Sequence, residues 1–151
     1  MPKFQITCRV TASMPYVWQH FTSELLAKLA PPFPIARIIQ FDGCQANDQV
    51  IIELDFLFYK TRWNSVITSY QTDGQSHVFV DEGTKVPFGI IHWRHEHRIE
   101  SVHSQETLVI DKILFQTKYK LLDLLLFPFI WGMIAYRIPL YKKYLRQPKT
   151  L

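Results

Sequence analysis

The sequence predicts an α+β domain: a curved antiparallel sheet of seven strands covered by a long C-terminal helix. Three observations carry this. The run "KFQITCRVTA" near the start alternates strictly, with Phe4, Ile6, Cys8 and Val10 on one face and Gln5, Thr7, Arg9 and Thr11 on the other. Period two over eight residues is the mark of a half-buried strand. Six further strand-like runs lie between Ile35 and Phe115, joined by short turn signals. The chain then closes on "KYKLLDLLLFPFIWGMIAYRIPLYKKYL", which reads as helix and is the only element large enough to cover the apolar face of such a sheet.

The elements follow in order. After the first strand, Ser13 reads as a helix N-cap with Pro15 in the first turn. "YVWQHFTSELLAKLA" reads as two short helices broken near Thr22-Ser23, and "PPFP" ends them because proline cannot continue the hydrogen-bond ladder. The six strand-like runs are "IARIIQF", "QVIIELDFLFY", "RWNSVITSY", "SHVFVDE", "IIHWRHEHRIE" and "ETLVIDKILFQ". Turn signals separate them at Asp42-Gly43, Asn47-Asp48, Asp73-Gly74, Gly83 and Ser101–Gln105. Connections this short imply antiparallel neighbours.

Length and composition fit one domain, residues 1–151. A chain of 151 residues buries about two-thirds of its unfolded surface, and 48% hydrophobic residues with 5 glycines exclude a disordered or collagen-like chain. Cys8 and Cys44 make neither a disulfide framework nor a metal pattern, and Cys8 falls on the buried face of the first strand. The N-terminus shows no apolar signal region, so a cytoplasmic location is expected. A net charge of +4 is modest. The basic residues form no dense stripe, and no aromatic-glycine RNA-binding motif is present, so nucleic acid is not expected as a partner.

The run "HWRHEHRIE" carries the most unusual chemistry. As a strand it puts His92, Arg94, Glu96, Arg98 and Glu100 on one face, which must be the solvated one. Trp93, His95, His97 and Ile99 then point inward. Two inward histidines at i and i+2 can be hydrogen-bonded cavity groups or ligand-recognition groups. With Asp81 or Asp111 they could also ligate a metal. The run offers no cysteine ligand and no HExxH spacing, so neither a metal nor a cofactor is assigned. Asp81 or Asp111 is expected to accept a hydrogen bond from His95 or His97. Phe56, Phe58, Trp63, Phe79, Phe88 and Trp93 make the middle of the chain strongly aromatic.

Several strings together bring a family into view. They are "LAPPFPIARI", Trp63 opening "WNSVIT", "FVDE" at 79–82, "PFG" at 87–89, "HWRHEH" at 92–97, Asp111 in "VIDKILF", and "AYRIPLYKKYL". In this order they resemble the START-like, or SRPBCC, superfamily, which includes polyketide cyclases, steroid-transfer domains and birch-pollen-allergen-like proteins. Several of these strings resemble one bacterial branch, found alone or fused to sugar-epimerase-like proteins. The resemblance implies the helix-grip fold and an apolar ligand cavity between sheet and C-terminal helix. It carries no catalytic set. The chain departs from the branch pattern at Val86, where glycine usually precedes Pro-Phe, and at Pro128, Gly132 and Pro139 in the terminal helix.

Within that fold the expected ligand-binding residues are Trp63, Phe79, Asp81, Phe88, Trp93, His95, His97 and Asp111. The expected partner is an apolar small molecule or lipid. The alternative is a cyclase-like enzyme using the cavity His and Asp side chains as acid and base. No nucleophile elbow and no phosphate loop is present. Leu124–Tyr136 is uncharged, but a span needs about 20 apolar residues, and Pro128 and Gly132 interrupt the run. The terminal stretch is therefore expected as a buried helix closing the cavity, with transient membrane-surface contact as the alternative. Composition does not address the oligomeric state.

Overall fold

The computed structural model describes residues 1–150. The element order is β1 (Lys3–Val10), α1 (Met14–Gln19), α2 (Ser23–Leu29), β2 (Ile35–Phe41), β3 (Gln49–Asp55), β4 (Lys60–Thr72), β5 (Ser76–Lys85), β6 (Ile90–His103), β7 (Glu106–Thr117), α3 (Lys120–Ala135) and α4 (Arg137–Tyr144). The seven strands form one antiparallel sheet in the order β1-β7-β6-β5-β4-β3-β2. The α+β architecture expected from the sequence is thus present.

Local chemistry explains the element boundaries. Ser13 Oγ accepts the Tyr16 amide at 3.4 Å, and proline sits in the first turn of α1. The sheet curls because β2, β4 and β6 carry register shifts, at Ile38/Gln40, Asn64/Ser65, Ile67/Ser69 and Ile90/His92. On β6 the predicted faces are observed: Arg94, Glu96 and Arg98 join Glu82, Glu100 and Lys112 in an outward ion-pair network around Glu96.

Two apolar clusters tie the helices to the concave face. One joins α1, α2 and α4 to Cys8, Val10, Ile99 and Val109; the other packs Ile130 and Ile134 of α3 on Ile6, Trp93, Ile113 and Phe115. The helices therefore press mainly on the β1-β7-β6 half of the sheet, while Trp18 of α1 also stacks on Tyr70, His77 and Phe79 of β4 and β5. The rest of the inner face of β2–β5 is left without a close-packed cover, and that gap is the cavity.

Three expectations are corrected. The run "QVIIELDFLFY" stops being strand at Asp55, and Phe56–Tyr59 forms the hairpin tip with Phe58 fully exposed rather than inside. Leu57 turns it with φ 76°. The Ser101–Gln105 connection shrinks to Ser104-Gln105, because β6 continues to His103. The terminal helix runs through Pro128 and breaks at Tyr136. Pro139 explains the break, since its ring excludes helical geometry at the carbonyl four residues earlier, that of Ala135.

The terminal helix is also less buried than expected. Asp123, Ile130 and Ile134 face inward, while Leu121, Leu124, Leu125, Phe129 and Trp131 are exposed. By length and composition alone, Lys120–Tyr144 is apolar enough to cross a membrane.

Candidate functional site

The cavity encloses about 160 Å³ beneath α3, α4 and the end of α2. An apolar cavity near this size accommodates a single aromatic ring. Its apolar wall includes Phe21, Leu25, Leu29, Val50, Ile67, Phe129 and Met133. Of the residues expected from the sequence, Trp63, Phe79, Asp81, Phe88, Trp93, His95 and His97 line it. Asp111 does not; it lies behind the two histidines and is 1% exposed.

The aromatic lining is mutually braced. Trp63 meets Trp93 edge to face at 4.7 Å between centroids, and Phe79 stacks on His97 at 4.4 Å. The His97 ring in turn stacks on His95 at 3.6 Å. Such packing fixes both imidazoles in place.

Sheet register assembles the polar end. His97 pairs with Asp111 across β6 and β7, and Asp81 pairs with His95 across β5 and β6. His95 Nε2 lies 2.7 Å from Asp111 Oδ1, and His97 Nδ1 lies 3.3 Å from the same oxygen without hydrogen-bond geometry. The Tyr141 hydroxyl donates to Asp111 Oδ2 at 3.0 Å. Asp111 is thus the hydrogen-bonded partner the sequence left open between two aspartates. Asp81 Oδ1 is buried with no partner.

Electrostatics follow from these contacts. Burial, then the neighbouring His97, pushes the His95 imidazole down to about 3. Neutral His95 therefore donates its Nε2 proton to Asp111. Burial alone would raise the Asp111 carboxyl, but the hydrogen bond from His95 and the nearby His97 ring outweigh that and hold it well below the carboxylate range. Burial raises Asp81, with His97 and Ser65 partly opposing it. Burial also raises the Tyr141 hydroxyl, as does the Asp111 charge. Arg137 keeps its charge against burial because Tyr141, Asp111 and Asp81 surround it. The Cys44 thiol in the same wall is pushed up to about 12 by burial, which leaves it a poor nucleophile.

Ligand atoms of His95, His97 and Asp111 lie within 4.8 Å of one another, close enough to hold a metal ion. Two of the Asp111 lone-pair positions are already filled by His95 and Tyr141, which suits a hydrogen-bond relay. Sequence reasoning missed Arg137 and Tyr141. They stand four residues apart in "AYRIPLYKKYL", on one helix face, and a lone arginine ending an apolar run was the available signal.

No family model and no curated protein matches the sequence. Solved structures do. The chain is similar to the Zhui aromatase/cyclase from a Streptomyces species, with a TM-score of 0.72 at 15% identity over 95% of this chain and 93% of that one. It is similar to norcoclaurine synthase from Thalictrum flavum in complex with a transition-state analogue, with a TM-score of 0.68 at 14% identity over 95% and 93%. The same synthase in complex with dopamine and hydroxybenzaldehyde gives 0.63 at 13% identity over 98% and 89%. Likeness at this identity concerns the fold: the chain has the helix-grip fold of these structures.

Proposed function

We propose that the protein binds a small apolar molecule, the size of about one aromatic ring or an equivalent lipid segment, with a polar group at one end. The observation that carries this is an aromatic cavity whose polar atoms gather on one side. Asp81, His97 and Arg137 line it, and Asp81 Oδ1 and His97 Nδ1 have no hydrogen-bond partner. Buried polar atoms without partners are costly, so a ligand hydroxyl or carbonyl placed there gains both contacts. Burying about 200 Å² of apolar ligand surface contributes about 5 kcal/mol before the cost of association.

Calorimetric titration with phenol, one ring bearing one hydroxyl, tests the reading. Saturable 1:1 binding that Ala36→Phe abolishes in a folded protein is expected; binding unaffected by filling the cavity contradicts it. A second reading rests on Asp81. A buried carboxyl raised by burial beside an imidazole can serve as an acid-base pair, and structures of this fold carry the names aromatase/cyclase and synthase. In that reading Asp81→Asn abolishes turnover of an aromatic carbonyl substrate while leaving binding within about threefold.

A further inference from the structure

α3 is apolar on both sides. Its inner residues pack on the sheet, yet Leu121, Leu124, Leu125, Pro128 and Phe129 repeat at i, i+3, i+4, i+7 and i+8 on the outside, with Leu124 70% exposed. This is the spacing of a continuous stripe, turned to solvent. The stripe continues into neighbouring segments. Phe33, Phe56, Phe88 and Phe129 form a chain of edge-to-face ring contacts at 5.7, 5.8 and 6.4 Å. Beside them the hairpin tip presents Leu57, Phe58 and Tyr59. Leu57 and Phe88 hold left-handed backbone, at φ 76° and 65°, a conformation that side chains other than glycine rarely adopt.

Exposed lysines stand around this patch; Asp55 at the base of the hairpin tip is buried and paired with Arg37 and, at 3.9 Å, with Lys60. Lys118 and Lys120 are exposed at the head of α3, Lys60 follows the hairpin tip, and Lys85 precedes the Phe88 turn. The only acidic residue of α3, Asp123, is turned inward and accepts the Thr117 amide. Exposed Tyr119, Trp131 and Tyr136 flank the leucines. Leucines between amphipathic aromatics, rimmed by lysines, match the layers of a lipid headgroup boundary; a second copy of this chain would bring lysine against lysine. Ile130 and Ile134 hold α3 to the sheet, and the helix breaks at Tyr136, so the geometry is that of lying on a bilayer.

We propose that the outer face of α3, with the 56–59 and 86–89 turns, docks on the surface of an anionic lipid bilayer. A groove lined by Pro31, Phe33, Pro128, Phe129, Gly132 and Met133 opens on this face and shares Pro31, Phe129 and Met133 with the cavity wall. The groove is the ligand's route from the bilayer; this route rests on the cavity reading, whereas the docking does not.

Flotation of the full chain with vesicles of phosphatidylcholine, with or without 30% phosphatidylglycerol as a working composition of about that value, tests the docking without any ligand. The protein is expected to float with anionic vesicles and to lose at least about tenfold in partitioning on Leu124→Gln with Leu125→Gln. Lys118→Glu with Lys120→Glu removes the preference for anionic vesicles, as does high salt. Circular dichroism and unfolding curves confirm that each variant is folded. The proposal is overturned by wild-type protein that floats with neither vesicle, or with both equally. It is also overturned by a dimer in sedimentation equilibrium that the leucine pair dissolves while vesicle binding is absent.

Discussion

Asp111 joins three elements through one carboxylate: His95 on β6 and Tyr141 on α4 donate to its two oxygens, and Asp111 itself is on β7. The relay has a pH signature. His95 has an ordinary value of 6.5 when unfolded and about 3 when folded. Below pH 6.5 the unfolded chain takes up a proton that the folded chain refuses, so stability falls as pH drops from 6.5 towards 3. The loss approaches about 1.4 kcal/mol per pH unit for this one group. Urea midpoints measured from pH 7.5 to 4.5 should therefore fall more steeply for wild type than for His95→Gln; parallel profiles would contradict a neutral buried His95. Much of this relay was legible beforehand. Alternation along "HWRHEH" turns His95 and His97 inward, and an antiparallel partner strand can bring Asp111 to them. The choice of Asp111 over Asp81 depends on register, which no single strand contains.

Elements were legible where the pattern had a period, and less so where it had none. β2 matches its strand-like run, and β1 follows its own as far as Val10, because a half-buried strand alternates; Thr11 and Ala12 lie beyond the strand. α3 misled because a helix apolar all round reads as buried, and only its packing shows which side lacks a cover. Val86, a departure from the branch pattern, has a structural counterpart at Gly83. A methyl group on Gly83 would overlap the Val86 side chain and come within 3.1 Å of Trp93 Cβ. The missing side chain of one residue thus houses the other. Gly83→Ala should cost about 1–3 kcal/mol in thermal unfolding, and Val86→Ala in the same chain should recover most of it. If the second substitution recovers nothing, the pairing of the two positions is wrong.

At the scale of the molecule, a curled sheet gripped by helices on one half leaves space over the other. The order of strands and helices in the sequence was enough to expect a curved sheet with a helical cover, because a single apolar sheet face needs one; the cavity was expected from the family resemblance alone. The size of the space and its closure by Arg137 and Tyr141 depend on where the terminal helix breaks, which Pro139 sets in three dimensions. The proposed ligand binding, and with it the route from the bilayer, depends on that space taking a ligand. The most direct test is native mass spectrometry of the purified protein, followed by extraction into organic solvent and identification of what is released. The account predicts a 1:1 mass excess that disappears on extraction and on Ala36→Phe, and a released compound with an apolar body and one polar end. A bare mass for protein purified from its own cells, together with no saturable probe binding, would contradict it.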